Sequence, residues 1–197
     1  PMWHLPSPHH LHTTDLGYAV LAGVIGTFVG LAFTYLTVCL RWLAGFAPAS
    51  SRPLIGAGAL SLLAVASPYA LTNGEVQISH LTVTNVAVGT LLLGAAAKLV
   101  ASAVAMATGW RGGFIIPLFF IGFCLGRATE GHLPGGNSWV FAASLMVAAN
   151  VAVTKTPIGS TLVVTEMAGL ALLPPTLIAA LVSLALPSQI GLIHRHH

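Results

Sequence analysis

Charge is what this sequence has least of. Only 6% of its 197 residues are Asp, Glu, Lys or Arg, against about 25% in soluble globular domains. A chain of this size still needs a polar surface in water, so a hydrophobic fraction of 56% and a mean hydropathy of +0.90 exclude an ordinary soluble domain. The seven Lys/Arg and four Asp/Glu stand singly. No basic block offers a nucleic-acid footprint. The two cysteines, Cys39 and Cys124, both lie in apolar runs, which argues against a disulfide framework. A membrane barrel needs segments of about ten residues with alternating polarity, and the long unbroken apolar runs show none. No H-E-x-x-H pair occurs, and Glu166 has no histidine within several residues, so an intramembrane metalloenzyme lacks its usual signature. No cofactor is called for and no enzymatic activity is expected. What remains is an all-α, polytopic integral membrane protein.

Residues 1–12, PMWHLPSPHHLH, have no periodicity and form an irregular His/Pro-rich opening segment. His4, His9, His10 and His12 supply imidazoles, but no spacing fits a defined site and no carboxylate precedes Asp15. No metal site is assigned. Thr13, Thr14 and Asp15 are N-cap candidates. Residues 16–40 carry no charge and are long enough to span with some tilt. Within them, Gly26-x-x-x-Gly30 permits close helix approach and reads as a packing face. Arg41 and Trp42 suit an interface, and Arg41 and Arg52 place the APASSRP loop on the cytoplasmic side. A second helix covers 53–69 and stops at SPYALTNGE. Glu75 and His80 fall in or beside that loop, near water, with Glu75 either a solvated carboxylate or a proton relay. Residues 81–108 form a third long apolar segment broken only by Lys98. That lysine is either a functional intramembrane charge or one that snorkels to the interface.

The segments then shorten. Residues 127–137 are a polar turn, and 138–154 form a half-length apolar helix ending at Lys155. Pro157 opens another short helix that Gly169 closes. Glu166 is its only charge, expected to hydrogen-bond to nearby groups and hold the packing. With Lys98 and Lys155 it completes the candidates for buried charge. Pro174 and Pro175 begin a last helix to about 187. The domain runs over 13–188, and 189–197 form a short polar tail. Long helices followed by short ones between Gly/Pro breaks are the pattern of transporters with broken helices.

The stretch the others frame is 109–127, GWRGGFIIPLFFIGFCLGR. Proline is tolerated in a first helical turn, and the preceding glycines let the backbone turn and approach closely. A helix is therefore predicted to start near Phe114, with free N–H groups and a positive dipole end at Gly113–Ile116. Such an end binds anions without a charged side chain. The apolar run here is shorter than the roughly 20 residues needed to cross a bilayer, so this end lies inside the membrane.

GWRGGFIIP resembles the G-x-F-x-P motif of the CLC chloride channel and chloride/proton antiporter family. AANVAVTKTPIGSTLVVTEMAG and LIGAGALSLLAVASPYALTNGE are similar to two further stretches of that family's C-terminal half, in the family's order. The resemblance runs from about 15 to 187. It implies a subunit of two inverted repeats, a homodimer, and one anion pathway per subunit where helix N-termini meet near the midplane. Carried onto this chain, the anion-binding motif is Gly113, Phe114, Ile115, Ile116 and Pro117. The family's Phe position is Ile115 here. The backbone amides of Phe114 and Ile115 still supply the donors, so the change bears on selectivity more than on binding. The family's G-S-G-I-P and G-[RK]-E-G-P motifs, with the gating glutamate, have no counterpart, nor does its late tyrosine: Tyr18, Tyr35 and Tyr69 all lie in early segments. The expectation is small-anion transport, chloride first, passive or proton-coupled, across the cell membrane by a multi-pass protein. The chain opens on Pro1 and is expected to be about half of that transporter, with the N-terminal half missing. Alternatives are a truncated, non-transporting membrane protein and an intramembrane metalloenzyme.

Overall fold

The computed structural model describes Leu5, residues 11–110 and residues 112–186. The helices are α1 (Thr13–Ala44), α2 (Arg52–Ala66), α3 (Glu75–Val83), α4 (Val88–Ala107), α5 (Ile115–Arg127), α6 (Ser138–Thr154), α7 (Pro157–Ala168) and α8 (Leu173–Ala185). Short 3₁₀ turns lie at Pro68–Ala70 and Leu170–Leu172. Two helices, α1 and α4, are long and apolar enough to cross a membrane. His4, His9, His10 and the 189–197 tail lie outside the described residues.

At the centre stands α6, whose residues from Val140 to Val153 are all buried. A helix that is apolar on every face must be enclosed on every face, and α1, α5, α7 and α8 enclose it. Two glycine pairs permit this. A Cβ on Gly26 would lie 2.5 Å from the Ala148 Cβ, and one on Gly30 would overlap Ala152. A Cβ on Gly122 would lie 2.6 Å from the Met146 backbone, and one on Gly126 would overlap Ala142. Carbon contacts are normally about 3.5–4.0 Å, so any side chain at these four positions would push the helices apart. Gly26-x-x-x-Gly30 is thus a packing face, as its spacing predicts. The pairings also fix direction: residue numbers rise together in α1 and α6, and run oppositely in α5 and α6. Consequently the N-terminus of α5 and the C-terminus of α6 share one level of the bundle. The Phe33 and Phe114 rings, 6.2 Å apart, mark that level on α1.

Three sequence expectations are corrected. The apolar run 81–108 is not one helix, because α3 ends at Val83 and α4 starts at Val88. The reason is local: the Thr82 and Thr84 hydroxyls donate to the Ser79 and His80 carbonyls and end α3. Residues 76–80, left outside any helix by the sequence, are helical, and Glu75, expected in or beside the loop, is the first residue of α3 next to it. Gly74 turns the chain with φ 102°, and the Asn73 side chain accepts the Glu75 N–H. The N-cap of α1 is His12 rather than Thr13, Thr14 or Asp15. Asp15 is buried, with one carboxylate oxygen accepting the His12 N–H at 3.0 Å and the other the Asn137 N–H at 2.8 Å. It fastens the start of α1 to the start of α6.

Candidate functional site

The site is built at the break between α4 and α5. Ala107 ends α4, Gly109 takes φ 88°, and the Trp110 N–H reaches back to the Ala105 carbonyl at 3.0 Å. This is the six-to-one closure of a Schellman motif, which needs a left-handed residue where Gly109 stands. The Trp110 indole N–H donates to the Pro53 carbonyl at 3.1 Å and ties the turn to the start of α2. Gly112 and Gly113 are exposed, and a Cβ on either would meet nothing within 4 Å. Gly109 is the glycine here whose left-handed backbone the turn requires.

Phe114 is the N-cap of α5 and makes no side-chain cap. The first backbone bond into the helix runs from the Leu118 N–H to the Phe114 carbonyl at 3.0 Å. The N–H groups of Phe114, Ile115 and Ile116 therefore have no acceptor among the described residues, and Pro117 has no N–H to leave free. Pro117 is buried, Ile115 is 43% exposed, and Phe114 and Ile116 are half-buried. The sequence motif thus forms one structural unit. Beside it lies a cavity of about 470 Å³, lined by Gly113, Phe114 and Pro117 from the motif and by Thr72, Asn73, Ser102 and Trp110 among others. Among the described residues, no charged side chain lines it. Free N–H groups at the positive end of a helix, beside hydroxyl and amide side chains, can solvate a small anion without a fixed counter-charge.

Lys98 neither snorkels nor faces the cavity. It is 1% exposed, and its ammonium donates to the Leu71 carbonyl (2.7 Å), the Thr72 carbonyl (3.2 Å) and Gln77 Oε1 (3.1 Å). It also lies 5.1 Å from the centre of the Phe120 ring. Lys98 therefore grips from behind the loop that forms the cavity wall, including Thr72 in its left-handed backbone (φ 62°). Glu166 is exposed, which corrects its place among the buried charges. The buried face of α7 carries Ser160, Thr161, Val164, Thr165 and Ala168, and helical spacing turns 166 away from it. Lys155 is half-buried at the junction of α6 and α7, with its ammonium nitrogen enclosed. Sequence reasoning missed the cavity wall at Thr72, Asn73 and Ser102. Ser102 was the one available signal, a polar residue inside the apolar run of α4. Among the described residues, no three His, Cys, Asp or Glu side chains gather as a metal site.

The sequence description of the family "Voltage gated chloride channel" matches residues 1–188. A chloride/fluoride channel protein of Pseudomonas syringae pv. tomato is 32% identical over 99 residues, covering 49% of this chain and 21% of the relative. The putative ion-transport protein YfeO of Escherichia coli O7:K1 is 30% identical over 165 residues, covering 79% of this chain and 38% of the relative. The crystal structure of a CLC-type fluoride/proton antiporter superposes with a TM-score of 0.78 at 25% identity, covering 92% of this chain and 46% of that one. The chain thus spans less than half the length of each of these proteins.

Proposed function

This chain belongs to the voltage gated chloride channel family, and from that premise we propose that it is one half of a multi-pass cell-membrane transporter carrying a halide, chloride or fluoride, past the N-terminus of α5. The observation that carries the reading is the set of free N–H groups on Phe114, Ile115 and Ile116 beside a cavity that, among the described residues, has hydroxyl and amide side chains in its wall. A halide leaving water needs replacement donors, and backbone amides at a helix start supply them with no counter-ion to hold the ion back. Chloride follows from the motif resemblance, and the names of two of the relatives add fluoride. The path is completed by an N-terminal half and the whole works as a homodimer. The outward side chains of α2, with Leu62 and Val65 at 75% and 89% exposure, suit lipid or a second subunit.

The test is reconstitution of the full-length protein in liposomes loaded with potassium chloride or potassium fluoride, with efflux read by ion-selective electrodes after valinomycin. Saturable efflux of at least one halide is expected, and dependence on an added protonophore separates proton exchange from passive flow. Absence of efflux for both halides in a well-folded preparation refutes the proposal. The 197-residue chain by itself is expected to give none, because half of the pathway wall is missing.

A further inference from the structure

We propose that Lys98 is a positioning residue for the transported anion: its buried, unneutralised charge makes the cavity beside α5 electropositive from behind the cavity wall. This deepens the preceding reading and rests on it for the identity of the ion.

The hydrogen bonds show which form the side chain takes. The Lys98 nitrogen faces three acceptors: the Leu71 carbonyl at 2.7 Å, the Thr72 carbonyl at 3.2 Å and Gln77 Oε1 at 3.1 Å. The Gln77 amide nitrogen donates to the Pro68 and Leu71 carbonyls, which turns the amide oxygen towards the lysine. Three acceptors need three N–H donors, and only the ammonium has three, since a neutral amine has two. The Phe120 ring, its centre 5.1 Å away, also favours a cation there.

No carboxylate neutralises that charge. The chain has four acidic residues, and each is accounted for elsewhere. Asp15 accepts from the backbone at His12 and Asn137, the Glu75 carboxylate accepts from Asn73, and Glu130 pairs with Arg127. Glu166 is exposed on α7. With Lys98 only 1% exposed, nothing from outside this bundle reaches the ammonium. Its partners are neutral dipoles, which hold a charge in place without cancelling it.

The charge stands one layer behind the cavity. Leu71 and Thr72, whose carbonyls it holds, are in the wall, and so are Ala101 and Ser102, one turn further along α4. In a planar trans peptide the N–H points opposite to the C=O. The N–H groups of Thr72 and Asn73 therefore point away from the ammonium, and neither has an acceptor among the described residues. Each of these peptide units turns its negative end to the lysine and its positive end to the far side. A unit charge on the order of 10 Å from an ion, at an effective dielectric constant of about 20, changes affinity roughly tenfold. Because the ammonium does not touch the ion, it raises occupancy without a contact that must break when the ion leaves.

Two reagents on one thiol separate this charge from the mechanical grip. Cys39 is exposed and Cys124 buried, so the full-length protein carries Cys39→Ser with Asn73→Cys as the reporter. Its reaction with an anionic (sulfonatoethyl) and a cationic (trimethylammonioethyl) methanethiosulfonate is timed with Lys98 intact, with Lys98→Met and with Lys98→Arg. A loosened wall speeds both reagents together, so the anion-to-cation rate ratio reports the charge. The ratio should fall roughly tenfold or more in Lys98→Met and return in Lys98→Arg. Chloride or fluoride affinity, by titration calorimetry of the same Lys98 variants with Asn73 intact, should fall roughly tenfold in Lys98→Met. A ratio unchanged by Lys98→Met overturns the proposal. Halide affinity unmoved by Lys98→Met overturns the positioning role and leaves the α5 site intact. A fallen ratio with no halide bound by the Lys98 protein supports the charge at the cavity and refutes the transport reading. Should Lys98→Met fail to fold, the two rates in the Lys98 protein, each divided by that of free 2-mercaptoethanol, decide. An excess of roughly tenfold for the anionic reagent supports the proposal, and equal quotients overturn it.

Discussion

Replacing the amide N–H of Ile115 by an ester oxygen is the cleanest perturbation of the α5 site. Proline would also delete the donor, but Phe114 sits at φ −103°, ψ −7°, a helical conformation that a following proline disfavours. The ester keeps the side chain and the backbone path. It removes one of three free donors, and a hydrogen bond to a charged group contributes about 1.5–3 kcal/mol. Halide affinity should therefore fall about 10- to 100-fold, at about 1.4 kcal/mol per tenfold. The substitution has one side effect. It turns the Phe114 carbonyl into a weaker acceptor for the Leu118 N–H, now at 3.0 Å, at a cost of about 1 kcal/mol or less in helix stability. Thermal unfolding of the full-length protein measures that cost separately from titration calorimetry with chloride and fluoride. Ile115→Phe is the control: the side chain is 43% exposed, so the larger ring has room, and affinity should stay within about twofold of wild type. An ester protein with wild-type affinity would show that this N–H does not hold the ion. An equal loss in Ile115→Phe would show that side-chain shape governs the site.

Three further outcomes are expected in the full-length protein. Gly30→Val should lower thermal stability by about 1–3 kcal/mol or more through overpacking against Ala152, whereas Gly17→Ala, with nothing within 4 Å, should be neutral or stabilise by about 0.5–1 kcal/mol; equal melting temperatures would refute the packing argument. Lys98→Met should free the cavity wall, so that a cysteine at Asn73 reacts faster with a charged thiol reagent, and Lys98→Arg should restore part of the slow rate; no change in rate would show that the clasp does not hold the wall. Asp15→Asn leaves one of two backbone N–H groups facing an amide NH₂ and should destabilise by about 1–3 kcal/mol, seen as faster proteolysis within 128–137; an unchanged cleavage rate would count against the clasp at Asn137.

Much of this was legible in the sequence because the signals were local. Pro117 beside glycines located the start of α5 to within a residue, and Asn137, Lys155, Pro157 and Gly169 marked the limits of α6 and α7. Family motifs gave the class. What was not legible depends on partners distant in sequence. Nothing near Lys98 indicates that its acceptors lie 21 to 27 residues earlier. Gly122 and Gly126 look like unremarkable members of an apolar run until Ala142 and Met146 are set against them. The break between α3 and α4 was passed over because 81–97 holds no charge, although Thr82, Thr84 and Asn85 were a signal for it. Glu166 was misplaced for a related reason: one charge in a short helix does not say which face is covered.

The enclosure of α6 has a consequence for how the protein is made. At 17 residues it is about 25 Å long by helical rise, short of a hydrocarbon layer of about 30 Å, so alone in lipid it would leave terminal backbone groups without partners. Its shelter comes from α1, whose first residue is 125 positions before that of α6, and from α8, which ends 31 positions after α6 ends. A nascent chain halted before α8 therefore carries a finished α6 with one side open. Biogenesis of this unit completes only when the last described helix arrives, and a truncation within 173–185 should be recognised by membrane quality control as an unfinished protein, however intact the N-terminal end of α5 has already become.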